Sequence, residues 1–242
     1  MGALYKKEML GFLGNLTGWV VIGIFLLVTS LFLWVLPTGT NVLDSGYASL
    51  SGLFQLAPFV FLFLVPAITM NSLAEEKRSG TLELLLVRPL GDAKVVTAKY
   101  LAAFSLVVLS LLPTLVYYFS AWQLGFPVGD IDTGGFWGSF IGLLFLGSAF
   151  AAMGLFSSSL TGNPIVAFLT AVVVSIFMYL GFDYVSPFFG GAGLFVGQLG
   201  ISAHYASMSR GVIDSRDVIY FLSLDLFFLY LSVYRLGRRK WK

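Results

Sequence analysis

The sequence predicts an all-α integral membrane protein with six transmembrane helices, and three observations carry that prediction. Hydrophobic residues make up 58% of the chain and charged residues 11%, with a mean hydropathy of +0.91; a soluble domain of this size would have too little polar surface to cover itself. Six apolar runs reach the roughly 20 residues that a helix needs to cross about 30 Å of hydrocarbon. The runs are also continuous, which favours helices over barrel strands that alternate polar and apolar over about ten residues.

The runs fall at about 17–36, 54–73, 96–120, 137–159, 164–183 and 218–236, within one six-span domain over 1–242. Ahead of them, residues 1–16 mix Lys6, Lys7 and Glu8 with Leu4, Tyr5, Met9, Leu10, Phe12 and Leu13. That pattern suits a short helix in the membrane interface, and equally a plain leader into the first span. The first span starts too far from Met1, runs too long and lacks the small-residue cleavage site of a removed signal peptide, so it is expected to be retained. Pro58 and Pro66 in the second span and Pro113 in the third are expected as kinks. Between the second and third spans, residues 72–90 form a polar segment in which Gly80 permits a sharp break, Thr81 can cap a turn and Pro89 stops it. The spacing predicts two short helices there, roughly 72–79 and 82–88. Residues 184–217 contain the stretch Phe188 to Gly197, apolar but too short and glycine-rich to span. A re-entrant or interfacial hairpin is expected, plugging the outer mouth of a pathway or capping toward a partner.

Basic residues set the orientation. Lys6 and Lys7 precede the first span; Lys77, Arg78, Arg88, Lys94 and Lys99 lie between or beside the second and third; Arg235, Arg238, Arg239, Lys240 and Lys242 follow or end the sixth. That places twelve of the 14 basic residues on one side, so both termini and the 72–90 segment are expected in the cytoplasm. The net charge of +2 hides this asymmetry. No basic, aromatic-interleaved surface points to nucleic acid, and the C-terminal cluster reads as an anchor against anionic lipid. With no cysteine, disulfides and thiolate metal sites are excluded.

Glu75, Glu76, Lys77 and Arg78 are consecutive, so on a helix they spread around its circumference and cannot all pair with one another. Some must face water, headgroups or another protein. Asp225 lies inside the sixth span, where a carboxylate costs on the order of 2.5–3.5 kcal/mol. Tyr117, Tyr118, Tyr220 or another subunit are its candidate donors, and packing, a subunit interface or a transport or proton path its candidate roles. His204 is the only histidine; it offers neither a metal cluster nor a hydrolytic triad, and a local hydrogen bond is expected. Asp130 and Asp132 are too sparse for calcium, and no metal site is expected.

The block Glu75 to Leu86, followed by Arg88-Pro89-Leu90 and Lys99-Tyr100, resembles the loop after the second span in permeases of the type-two ABC exporter family. Six spans and a glycine-rich element before the last are similar to that family over essentially the whole chain. Together with His204 to Asp217, the 71–100 block is most similar to permease subunits associated with gliding motility, and permeases linked to nitrous-oxide-reductase maturation share much of it. The resemblance implies a bacterial inner-membrane subunit that docks a separate ABC ATPase through this loop and pairs with a second permease, identical or different. Glu75, Glu76, Lys77, Arg78 and Gly80 would then form the coupling element, with Glu83 and Arg88 as further contacts or supports. The chain has no Gly-x-x-x-x-Gly-Lys-Ser/Thr phosphate cradle, so no nucleotide or other cofactor is expected on it; ATP and Mg would sit on the partner. Two rivals remain: a non-transporting anchor that transmits force, and an intramembrane enzyme, for which Asp225 alone supplies too few groups.

Overall fold

The computed structural model describes residues 1–44, 46, 48–81 and 91–238, and among these there is no strand. Six helical runs have the length and composition to cross a membrane: Leu16–Val35, Ser51–Arg78, Asp92–Leu124, Thr133–Leu160, Pro164–Gly197 and Ser215–Gly237.

Helix α1 (Gly2–Gly14) ends at Asn15, whose extended backbone turns the chain into α2 (Leu16–Ser30). The turn is tight because residue 18 is glycine: a Cβ there would sit 2.4 Å from the Phe12 carbonyl oxygen. Leu4 packs with Val95 and Ala98, and the Tyr5 hydroxyl lies 2.9 Å from that of Ser105, so α1 is laid along the start of the third span. A π-helical turn, Leu31–Val35, closes the first span.

Helix α3 (Ser51–Arg78) is uninterrupted over 28 residues, with both Pro58 and Pro66 inside it. The expected separate helix at 72–79 is instead its last two turns. Nothing between Ser72 and Arg78 breaks a helix, and Leu, Ala, Glu, Lys and Arg there are good helix formers. The break comes at Gly80, at φ +70°, a conformation that glycine adopts at no steric cost. The second expected helix, 82–88, with Glu83, Arg88 and the following Pro89, lies outside the described residues.

The third span is α4 (Asp92–Leu111) and α5 (Leu115–Leu124), joined by a 3-10 turn at Leu112–Thr114 where Pro113 sits. Helix α6 (Thr133–Leu160) starts at Asp132, whose carboxylate accepts from the Gly135 amide at 2.8 Å. It is the most buried span and the centre of the bundle, packed against α3, α4, α7 (Pro164–Ile176) and the sixth span. Small residues permit that closeness: a Cβ on Gly154 would lie 2.1 Å from Thr69 Oγ1, and one on Gly147 2.6 Å from Val107 Cγ1.

Past α7 the chain departs from expectation. The fifth span does not stop near 183 but continues through a π-helical turn (Phe177–Gly181), α8 (Phe182–Val185), a 3-10 stretch (Ser186–Ala192) and α9 (Gly193–Gly197). Gly190, at φ +51°, reverses the direction, and a Cβ on Gly193 would fall 2.5 Å from the Ser186 carbonyl oxygen. Glycine thus folds a helical hairpin in the stretch where composition suggests a re-entrant or interfacial hairpin. Helix α10 (Ile201–Met208) then packs back onto the bundle, burying Ile201, Tyr205 and Met208. The Tyr205 hydroxyl donates to the Phe54 carbonyl at 2.7 Å, and burial, with the nearby Tyr179 phenol, pushes it well above the ordinary phenol range. Helix α11 (Ser215–Gly237) forms the sixth span, capped by Asp214. Its end comes beside Asp92 at the start of α4, so both ends of the described chain lie on one face of the bundle, called here the terminal face.

Candidate functional site

The end of α3 on the terminal face gathers most of the residues that sequence grouped as a coupling element, and their side chains lie in three different environments. Glu75 and Arg78 pair with each other at 2.8 Å across one helical turn, with side chains 42% and 65% exposed. They form the outer tip with Ser79, whose hydroxyl donates to the Glu75 carbonyl and lies 2.8 Å from that of Thr81, and with Gly80.

Glu76, one residue along, turns inward. Its Oε1 accepts from Lys99 Nζ at 2.8 Å, and the same ammonium meets Glu8 Oε1 at 3.0 Å. Lys99 is 1% exposed, Glu76 13% and Glu8 14%; Lys7, on the surface, approaches Glu76 at 3.9 Å. Glu76 Oε2 is buried with no hydrogen-bond partner among the described residues. One cation therefore ties α1, α3 and α4 together. Removing one member of such a buried group leaves uncompensated charge, typically worth 3–5 kcal/mol.

Lys77 points a third way, donating to the Ser159 carbonyl in the last turn of α6, where backbone acceptors lack helical partners. Beside it the Ser158 hydroxyl accepts from the amides of Leu73 and Ala74, each at 3.0 Å, and donates to the Met70 carbonyl at 2.9 Å. A side chain of α6 is thus inserted into the hydrogen-bond ladder of α3, immediately before the four charges. The tip of α3 is clamped from both sides and has little freedom to move independently of α1, α4 and α6.

Sequence reasoning grouped Glu76 with Glu75 as a partner contact; its burial and its bond to Lys99 make it internal to this chain. It also missed Glu8 and Lys99 as members of the cluster. A signal was present: Lys99 lies seven residues inside the helix that begins at Asp92, about 10 Å at 1.5 Å per residue, where a cation needs a partner.

Asp225 sits deeper and is 6% exposed. Its Oδ2 accepts from the Tyr100 hydroxyl at 3.0 Å and lies 2.9 Å from the Ser148 hydroxyl, which is also 2.7 Å from the Phe145 carbonyl. This joins α11, α4 and α6. The three tyrosines expected as donors go elsewhere: Tyr117 to the Leu26 carbonyl, Tyr220 to the Leu199 carbonyl, and Tyr118 into a ring cluster with Phe136 and Trp137. Tyr100 was hidden because it lies next to Lys99 in sequence, on what looked like the loop end of the span. His204 makes its bonds across elements, its ring nitrogens 2.7 Å from Asp217 Oδ1 and 2.9 Å from the Gln198 carbonyl, with its ring stacked on Tyr220.

A family model for ABC-2 family transporter proteins matches residues 36–207, from the end of the first span through α10. The chain belongs to the ABC-2 transporter family. It is a multi-pass membrane permease subunit of an ABC transporter, of a family whose membrane subunits lack an ATPase site of their own. Family membership implies an ABC ATPase partner and a dimeric permease arrangement. No curated protein matches the chain.

Proposed function

We propose that the permease receives the motion of its ATPase at the tip of α3, through Glu75, Arg78 and Gly80, with Glu83 and Arg88, further along the sequence, as additional contacts. The observation that carries this reading is the layering at the terminal face: an exposed ion pair lies directly over a buried one. Exposed charges are free to meet a partner. The buried Glu76–Lys99–Glu8 cluster and the Ser158 insertion convert a push on the tip into movement of α1, α4 and α6 rather than local bending. In this reading both termini are cytoplasmic, the membrane is the bacterial inner membrane, and ATP and Mg are held by the partner.

The work performed is read as export or force transmission in gliding motility, on the likeness of residues 71–100 and 204–217 to permeases of that process. A force-transmitting anchor is the second reading. Phe61, Phe150 and Phe221 are wholly buried inside the bundle of one copy, a packed interior that suits an anchor, which needs no substrate path, whereas export needs one. Purification of the tagged chain from its native membrane in mild detergent tests the core of the proposal: an ABC ATPase is expected with it, and recovery of the chain alone, under conditions that hold other complexes together, would refute it. Loss of surface gliding on deletion of the chain tests the assignment to motility; normal gliding would redirect it to another substrate, such as one used in nitrous-oxide-reductase maturation.

A further inference from the structure

On the side of the bundle opposite the terminal face, α10, α11 and the hairpin that ends the fifth span (Phe182–Gly197) meet at one side chain, His204. Its Nδ1 lies 2.7 Å from Asp217 Oδ1 on α11, and its Nε2 lies 2.9 Å from the Gln198 carbonyl, one residue past the hairpin. A carbonyl and an ionised carboxylate only accept hydrogen bonds. A neutral imidazole has one N–H, so it serves one of these acceptors and turns a bare lone pair toward the other; a ring with two N–H groups serves both.

Two further features suit the charged ring. Tyr220 stacks on it with centroids 3.8 Å apart, and an aromatic face attracts a cation. Asp217 is 8% exposed, and its Oδ2 is buried with no hydrogen-bond partner among the described residues, so a cation at Oδ1 offsets its charge. The same two rings hold the hairpin's end. The Tyr220 hydroxyl donates to the Leu199 carbonyl at 2.6 Å, next to the Gln198 carbonyl that faces His204, and acceptors just past a helix lack helical partners. On the other arm, the Ser202 hydroxyl of α10 donates to Asp183.

The ionisable groups around His204 are few. Helix α11 supplies Asp217 and Tyr220, with Arg216 exposed beside them; the hairpin supplies Asp183 through Ser202; the Phe177–Gly181 turn supplies Tyr179, beside Tyr205. Arg210, past the end of α10, turns back to the Ala206 carbonyl. Helix α6, which also packs on α10, has no ionisable residue from Thr133 to Leu160. Among these side-chain types histidine is the one whose ordinary charge change falls between pH 5 and 8.

We propose that His204 is a pH-controlled latch on the hairpin: the doubly protonated ring ties Gln198 to Asp217 and holds the hairpin against α11, and loss of one proton to water as pH rises breaks one of the two ties. The hold is therefore complete at low pH and weakens as pH rises. The hairpin then responds to the acidity on the side of the membrane away from the α3 tip. The proposal is independent of where the ATPase docks.

The test is hydrogen-exchange mass spectrometry of the full-length permease in nanodiscs. Protection of the amides of residues 193–203 is measured at about pH 5.5 and about pH 8.5, on either side of histidine's range, and corrected for the intrinsic rate at each pH. The wild type should lose about tenfold in protection at the higher pH, the low end for a hydrogen bond to a charged group, while α6 keeps its protection at both. His204→Gln, which keeps a donor but no charge, should show the lower protection at both pH values, and Asp217→Asn should flatten the pH dependence as well. Asp183→Asn, which breaks the neighbouring tie, should lower protection and leave its pH dependence in place. Equal protection at both pH values in the wild type, or a His204→Gln variant that keeps the tenfold change, would overturn the proposal. So would a parallel loss of protection in α6, since the whole bundle would then be responding to pH.

Discussion

Lys99 and Tyr100 are adjacent on the third span yet belong to two different regions, and the contrast between them explains how this bundle is held. Successive residues on a helix point about 100° apart. Lys99 therefore reaches α1 and α3, while Tyr100 reaches α11. At the terminal face the join is ionic: one ammonium, almost fully removed from solvent, between two carboxylates. Deeper in, the join is a hydroxyl–carboxyl contact, Tyr100 and Ser148 around Asp225. Charges are sustained where partners of opposite sign are at hand, and a polar group within the apolar span is held by hydroxyls. The first join should be strong but brittle, since it fails if any member is lost. The second should be weaker and more tolerant, because hydrogen bonds inside membrane bundles average about 0.6 kcal/mol.

The largest expected effect comes from breaking the ionic join. Lys99→Met should destabilise the permease by about 3–5 kcal/mol, read as a fall in thermal stability in detergent and as new protease cleavage near α1. The comparison sharpens if all three charges go together. A Glu8→Leu, Glu76→Met, Lys99→Met triple variant should recover most of that loss, because a buried ion group replaced by apolar side chains of similar volume is often neutral; a triple variant no more stable than the single would show that the ions themselves are required. At the second join, Tyr100→Phe should cost about 0.6 kcal/mol and no more than about 1.7, and Asp225→Asn a similar amount, measured by the same melts. A loss at Tyr100 as large as that at Lys99 would erase the distinction. The smallest effect is expected at the tip, where Glu75→Gln should change stability by less than about 1 kcal/mol. Salt separates the layers as well: exposed pairs are screened on a length of about 8 Å at physiological ionic strength, so raising salt should weaken the Glu75–Arg78 pair and leave the Lys99 cluster nearly unaffected.

Much of the fold was legible because lipid imposes a simple rule on sequence. Six apolar runs of sufficient length gave six helical runs among the described residues, and each expected run overlies an observed one, the first passing its end by one residue. What stayed hidden was set by tertiary neighbours. Four consecutive charges announce that they cannot share one partner, but only packing decides that Glu76 turns toward Lys99, Lys77 toward Ser159 and Glu75 with Arg78 toward solvent. The partner of Asp225 lies 125 positions away in the chain, beyond any local pattern. For the stretch Phe188 to Gly197, composition suggested a hairpin but not its internal structure, which is set by a single positive φ at Gly190 and a close approach at Gly193.

The layering also separates two adjacent carboxylates that sequence placed in one role. The most direct test of the coupling account compares two charge reversals, Glu75→Lys and Glu76→Lys, by the amount of ABC ATPase that co-purifies with the permease and by the permease's own thermal stability. Glu75→Lys should lose most of its ATPase with its melting profile unchanged, whereas Glu76→Lys should lose the folded permease itself, since it sets a second cation against Lys99. Full ATPase recovery with Glu75→Lys, or a stable Glu76→Lys protein that fails only in ATPase binding, would contradict the account.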